Sequence, residues 1–574
     1  MHARQWLLSV LFVAALCAPW GQPTAGAQSP PATRPLATAP TPAPAPAPAA
    51  PASKAPTTKA PTKAPPAAAP AQTPAASGAA PSAPPAAAPA AAAAPAPFGF
   101  DDVQRLAQQR ASRPYADHQT ALPDSLTRLS YDQYRDIRFV PDRALWRNQA
   151  LFEIQFFHRG FTYRRRVNIN EVDPDGSVQP VQYDPADFDF GKTARPHNLP
   201  ADLGFAGFRV HFPLQRPDYK DELIVFLGAS YFRVLGRDQS YGASARGLAI
   251  NVASPTGEEF PYFTDFWLVK PPPQQRTLTI YALLDSPSLA GAYRFEVRPG
   301  DTTDVEVSAT LYPRKSVEKL GIAPLTSMYL YGGNSPLAVT DFRPEVHDSD
   351  GLLEQTGGGE WLWRPLVNPK TLRISSFTDE HPRGFGLDQR DRAFSDYQDE
   401  EAHYQRRPSY WVAPLSDWGK GRIELVEIPS GEEIHDNIVA YWVPDTPLTP
   451  GKPFNFSYLL SAYLYTPLWP PGGRAVATRT ASISNRSGDN SRRVLVDFWG
   501  GDLNRLGATQ PVQAQVSAHG GDISNITVQR LAENGVWRVA FKLTPKGTQN
   551  VDMRCYLTLY GEALTETWTY LYSP

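Results

Sequence analysis

The sequence is poor in cysteine, with two in 574 residues: Cys17 in an N-terminal apolar run and Cys555 far downstream. Cys17 falls in a segment expected to be removed, which leaves one thiol and excludes an internal disulfide or a cysteine-built metal site. Leu16 stands where a lipoprotein acceptor needs a small residue, so Cys17 reads as filler. An excess of positive charge is missing as well. Five of the 55 basic residues and none of the 57 acidic ones lie in the first 97 positions, leaving the remainder at a net of −7. Nucleic-acid affinity rests on concentrated positive charge, so no nucleic-acid partner is expected. No run of 18 uninterrupted apolar residues follows the N-terminus, which excludes a spanning helix there. There is no P-loop, no dinucleotide glycine fingerprint, no His-Glu-x-x-His and no Gly-x-Ser-x-Gly. His347 and His435 stand too isolated for a metal cage to be proposed from spacing, and neither metal nor cofactor is expected.

Residues 1–27 carry the three parts of a secretory signal. Arg4 gives the positive start, Leu7 to Ala18 the short apolar stretch, and Ala25-Gly26-Ala27 the small residues for cleavage. The next stretch, 28–97, holds 21 of the 60 prolines among Ala, Thr, Ser and Lys. It cannot bury enough apolar surface to offset its ordering entropy and is expected to be an extended, disordered spacer.

The foldable part begins at Phe98. Asp101 to Ala111 places Val103, Leu106 and Ala107 at helical spacing with acids in the first turn, predicting one short helix. The period then changes to two. Short β-branched and aromatic runs, among them Leu151–Phe157, Tyr163–Ile169, Phe208–Phe212, Leu223–Phe226, Leu278–Tyr281 and Tyr293–Val297, are separated by Gly, Pro, Asp and Asn. Strands at this density with almost no helical windows indicate an all-β protein. Thr466-Pro-Leu-Trp-Pro-Pro-Gly-Gly473 breaks the pattern and sets a linker at 466–475. Six or seven strands in the following hundred residues match an immunoglobulin-like sandwich at 476–574, and 98–465 is read as an extended double-sheet body.

Between about 340 and 445, carboxylates interleave with aromatics: Arg343 to Gly351, Gly359 to Arg364, Arg383 to Arg392, Asp396 to Glu400, Arg407 to Trp411 and Glu432 to Trp442. Sugars need flat apolar faces and short polar groups, and cleavage of a glycosidic bond needs two carboxylates in different protonation states. The same residues also serve as loop caps, ion pairs with neighbouring arginines, and core tryptophans. Composition alone favours this second, structural reading.

Longer stretches narrow the choice. Leu203-Gly-Phe-Ala-Gly-Phe208, Leu227-Gly-Ala-Ser-Tyr-Phe-Arg233, Ser244-Ala-Arg-Gly-Leu-Ala-Ile250, Ala323-Pro-Leu-Thr-Ser-Met328, Gly359-Glu-Trp-Leu-Trp-Arg-Pro365, Trp418-Gly-Lys-Gly421 and Asp436-Asn-Ile-Val-Ala-Tyr-Trp442 occur in order. Together they resemble the periplasmic glucan biosynthesis family, types G and D, from about Phe98 onward. The resemblance implies a large N-terminal β-sandwich of the galactose-mutarotase-like supersandwich type, joined to a small immunoglobulin-like sandwich. It also implies a periplasmic location and a part in making osmoregulated periplasmic glucans with β-1,2-linked backbones. Family members that are inverting β-1,2-glucanases place the general acid at Asp436 and a base acting through water at Asp348, with Glu433 as a supporting carboxylate. Trp361, Trp363, Arg364, Tyr410, Trp411 and Trp442 are the candidates for sugar contacts. The segments Gln389 to Arg392 and Arg407 to Trp411 look slightly more like type D. The expected partners are the glucan and an inner-membrane glucosyltransferase. Three activities remain open: a hydrolase, a non-catalytic glucan-binding scaffold for that transferase, and a transferase that passes the cleaved chain to a sugar.

Overall fold

The computed structural model describes residues 97–574 except 118–120, 194, 197, 336–339, 466–469 and 485–488. The expected signal segment 1–27, the arm 28–97 save Pro97, and the first four residues of the expected linker lie outside the described residues.

Two large sheets carry the body. In the first, strands Glu153–His158, Phe205–Arg216, Tyr219–Leu227, Tyr231–Val234, Ser244–Arg246, Leu320–Ser327, Ile438–Pro444, Lys420–Glu427 and Arg373–Glu380 lie side by side in that order, all antiparallel. The second sheet contains Gly351–Gln355, Gly384–Asp388, Ser409–Pro414, Phe454–Tyr463, Thr303–Pro313, Leu289–Arg298, Leu278–Asp285 and Tyr262–Val269 as consecutive neighbours. Their facing sides fill one core, with Phe208, Phe226, Ile423 and Trp442 from the first sheet and Phe266, Ile280, Phe295, Val307 and Leu460 from the second. The all-β sandwich expected from the two-residue periodicity is what the chain forms. Thr303–Pro313 shows why: alternate side chains are buried along its first half, as a pleat with one face on a core requires. The edge strand Arg373–Glu380 alternates partly buried and exposed positions, and its charged ends discourage pairing with another chain.

The helix Phe100–Ala111 forms as predicted. Asp102 accepts the backbone N–H of Gly99 at 2.7 Å, and Val103 and Ala107 are buried against Trp267, Leu283 and Ala292. The run Tyr163-Arg-Arg-Arg does not enter a strand; Tyr163 makes a single bridge to Gly160, Val167 a single bridge to Phe205, and the strand proper begins at Asn168, where polar and apolar residues alternate. A second helix, Tyr131–Asp136, was not foreseen, although Ser130 and Gln133 cap each other reciprocally.

Beyond residue 470, strands Arg474–Ser482, Arg492–Trp499, Trp537–Pro545 and Gly521–Arg530 form a separate four-stranded sheet. Their apolar side meets Gln513–His519, Val551–Leu559 and Thr567–Tyr572 in a second core around Phe498, Phe541, Met553 and Trp568. Those last three strands also extend the large sheet, because Thr567–Tyr572 runs parallel to Trp361–Pro365 with Leu362 opposite Thr567 and Trp363 opposite Trp568.

One buried acid has a consequence for stability. Glu354, in the largely buried strand Gly351–Gln355, is 1 % exposed and one of its carboxylate oxygens has no hydrogen-bond partner among the described residues. Burial, with the charges of Asp379 and Glu360, pushes it up to about 8. A raised carboxyl favours the fold at low pH, and that contribution is lost as pH climbs from the ordinary glutamate range through about 8. Urea unfolding at pH 5 and pH 9 should therefore show Glu354→Gln more stable than wild type at pH 9, by roughly 3 kcal/mol, and close to it at pH 5. Equal differences at both pH values would refute the assignment.

Candidate active site

Asp348 and Asp436 are brought together by one dipeptide at the end of strand Leu320–Ser327. The carbonyl of Met328 accepts the backbone N–H of Asp348 at 2.8 Å. The next residue, Tyr329, donates its N–H to the side-chain oxygen of Asn437 and accepts from that side chain's nitrogen, which also donates to the carbonyl of Ile428. Ser327 and Ser349 share a hydroxyl hydrogen bond of 2.8 Å. The segment before strand Ile438–Pro444 and the segment after strand Val346–His347 are thus pinned to the same two residues.

Both aspartates are buried, Asp348 at 2 % and Asp436 at 3 % exposure, and their surroundings differ. Asp348 is held by the Arg407 guanidinium, which lies 4.0 Å over the Tyr404 ring. The Tyr404 hydroxyl donates to Glu433 at 2.9 Å, and Glu433 is paired with Arg343, which also holds Asp399 and Asp341. Asp436 faces Arg233 at 3.7 Å, beyond hydrogen-bond reach, and its Oδ2 has no hydrogen-bond partner among the described residues. Burial pushes Asp436 up to about 6, against the lowering influence of Arg233 and with a further push from the charge of Asp348. One carboxyl is set in an ion-pair chain, while the other is desolvated and favours its proton at mildly acid pH.

Behind Asp348, on the opposite face of the same extended segment, His347 stacks on Tyr329 and contacts Glu345 and Asp350. Burial opposes its charge, but the Asp350 and Glu345 carboxylates outweigh burial and carry it up to about 9.

The aromatic candidates lie elsewhere. Trp442 is fully buried in the main core, and Tyr410 is buried with its hydroxyl bonded to the backbone of Val234. Trp363 and Trp411 belong to the second core, where the half-buried Trp361 stacks on Trp411. Arg364 is buried and paired with Asp552. As placed, Trp363, Arg364, Tyr410, Trp411 and Trp442 are packing residues, and Trp361 alone of the six is partly exposed; the Arg390 guanidinium lies 3.4 Å over the Trp363 ring, and the second core packs against the tryptophans of Trp361–Pro365. Arg407, Tyr404, Arg343 and Arg233 are the site residues that sequence reasoning passed over. Arg233 had a legible signal: a strand of four wholly buried residues, Tyr231–Val234, tolerates a guanidinium only where a carboxylate awaits it.

The family model described as "Periplasmic glucan biosynthesis protein, MdoG" matches residues 98–572. The chain belongs to this family. Relatives in it include glucans biosynthesis protein G of Ralstonia nicotianae, 48 % identical over 493 residues, covering 83 % of this chain and 96 % of that protein. The protein of the same name in Rhodopseudomonas palustris is 49 % identical over 477 residues, covering 83 % and 93 % respectively. That of Vibrio cholerae is 44 % identical over 475 residues, covering 82 % and 86 %. All three carry the type G name, whereas Gln389 to Arg392 and Arg407 to Trp411 were read as closer to type D. Among the described residues no helix is long and apolar enough to cross a membrane.

Proposed function

We propose that the chain is a periplasmic β-1,2-glucan hydrolase, delivered by a cleavable signal peptide, that cuts its polymer internally with inversion. The observation that carries this reading is the pair of unlike carboxyls: Asp436, desolvated and raised to about 6, beside Asp348 in its ion pair with Arg407. A desolvated carboxyl that keeps its proton, next to a carboxylate held in an ion pair, suits the acid and base roles respectively. Asp436 gives its proton to the glycosidic oxygen as the bond to C1 breaks. A water adds to C1 from the opposite face, and its proton passes to Asp348 through further water, so the new reducing end is the α anomer. Glu433, tied to Arg343 and Tyr404, holds the segment ahead of the acid. Both aspartates are buried, Asp348 behind its ion pair with Arg407, so cleavage requires this layer to admit the glucan.

That same burial favours a second reading, in which this state binds glucan without cutting it and serves a membrane glucosyltransferase as a scaffold. Incubating the full chain with linear β-1,2-glucan separates the two. Shortened chains whose first-formed ends are α by NMR support hydrolysis. Intact glucan that co-elutes with the protein overturns it in favour of the scaffold, and products longer than the starting chain indicate transfer to a sugar.

A further inference from the structure

A second constellation lies behind the acid pair. Glu345 Oε2, His347 Nε2 and Asp350 Oδ1 converge, with the imidazole nitrogen 2.7 Å from the first oxygen and 3.3 Å from the second, and the three candidate ligand atoms lie within 4.8 Å of one another. The hydrogen bonds around them fix which atoms meet there. Gln389 donates through its side-chain nitrogen to the carbonyl of His347 and to the Tyr397 hydroxyl, so its oxygen faces His347 Nδ1 at 2.9 Å. Nδ1 must then carry the hydrogen and donate it. Asp350 Oδ2 is taken by the backbone N–H groups of Arg390 and Asp391, which turns Oδ1 toward the histidine. The remaining imidazole nitrogen and two carboxylate oxygens therefore point at one spot. In the protonated imidazole a hydrogen on Nε2 holds them together, and a cation that displaces it meets the same three atoms.

The setting suits a cation larger than a proton. The three residues line a cavity of about 240 Å³ that also takes in Asp391, Asp396 and strand residues Ala475 to Arg479. The arginines on its wall are already engaged, Arg390 with Glu566 and Asp388, and Arg479 with Asp497. Neighbouring ligand atoms around a zinc ion bonded at about 2.0–2.1 Å lie roughly 3.3 Å apart in a tetrahedron; the spacing of His347 Nε2 from Asp350 already matches, and that from Glu345 has to open slightly. A histidine whose second nitrogen donates to a fixed amide oxygen is oriented as a metal ligand should be.

We propose that Glu345, His347 and Asp350 form a binding site for a divalent first-row cation, with its open coordination positions facing the cavity between the body and strand Arg474–Ser482. Mixed imidazole and carboxylate ligands suit zinc or manganese better than calcium or copper(I). The residue after His347 is Asp348, so the bound ion fixes the segment that carries the proposed base without touching the reaction.

The full chain, stripped with a chelator and titrated with zinc and then manganese in a calorimeter, tests this. One saturable site, with a dissociation constant of about 10 μM or tighter, and a higher unfolding temperature in the presence of the ion are expected. Glu345→Gln and Asp350→Asn should each weaken binding at least about tenfold, Gln389→Ala by a comparable factor through loss of orientation, and His435→Ala should leave it unchanged. Circular dichroism checks that each variant is folded. Absence of heat and of any temperature shift in the folded wild-type protein overturns the site, as does binding that survives Glu345→Gln undiminished. Loss of glucan hydrolysis bears on Asp348 and Asp436 and leaves this result untouched.

Discussion

Asp436→Asn is expected to lower glucan hydrolysis at least a hundredfold while making the protein more stable at neutral pH. The first effect follows from removing the only proton on a desolvated carboxyl beside the proposed cleavage point; general acid catalysis contributes about 10²–10⁴ in rate. The second follows from linkage. Asp436 is raised to about 6, so its protonated form suits the fold, and the stability it contributes is lost as pH rises from the ordinary aspartate range through about 6. Above that pH the wild type holds a buried charge whose nearest cation, Arg233, stands off at 3.7 Å. An amide of the same shape removes that cost, by something on the order of 2 kcal/mol at pH 7 and little at pH 4. The wild-type rate should also fall on the alkaline side of about pH 6 as the acid loses its proton. Urea titrations at the two pH values and initial rates from pH 4 to 8 check these together. A variant that is inactive and also less stable at pH 7 would point to a structural carboxylate. An active variant would remove Asp436 from the mechanism altogether.

Trp568→Ala should destabilise the whole protein by about 3–5 kcal/mol, the range for emptying a large aromatic from a core. Trp568 is fully buried, stacks with Tyr570 at 5.5 Å, meets Phe541 edge-on, and donates its indole N–H to the Thr478 hydroxyl at 2.8 Å. It also stands opposite Trp363 in the pairing that joins the C-terminal strands to the body's sheet. Its loss strikes the second core and the seam in one step. Because the sheet is continuous across that seam, unfolding followed by tryptophan fluorescence and by far-UV circular dichroism should show one coincident transition in the wild type. Two separated transitions, with only the second displaced by Trp568→Ala, would mean that the C-terminal layer folds on its own.

Local periodicity was a good guide to the elements and a poor one to what covers them. Strands such as Thr303–Pro313 and Leu289–Arg298 declare themselves through alternation, and the helix Phe100–Ala111 through spacing and its acidic first turn. The reciprocal Ser130–Gln133 cap was equally legible and was passed over because the six-residue helix behind it is too short to show a period. The tryptophans of Trp361–Pro365 looked like a sugar platform because nothing nearby in the chain buries them. The second core that packs on them, with Val496, Phe541 and Trp568, comes from far downstream, and no local window contains both. Asp348 and Asp436 were found through family motifs, while their electrostatic partners were not, because Arg233 and Arg407 reach them from separate strands and loops. His347 looked isolated for a similar reason: Glu345 and Asp350 are near in sequence, but only the turn of the chain at 348–350 swings all three to one point.

The parallel seam has a bearing on how the molecule is assembled. Thr569 donates its hydroxyl to the carbonyl of Trp363 across 206 positions of chain. Until that late strand arrives, Trp361–Pro365 is an open, aromatic sheet edge, the kind of surface along which chains join one another. A nascent protein emerging in order must therefore carry an adhesive border while the intervening 206 positions are made, and contacts this distant in sequence form slowly. Cutting the chain in the linker would make that transient condition permanent. The shortened body should precipitate or pair with itself, so its solubility would say little about whether it can bind glucan.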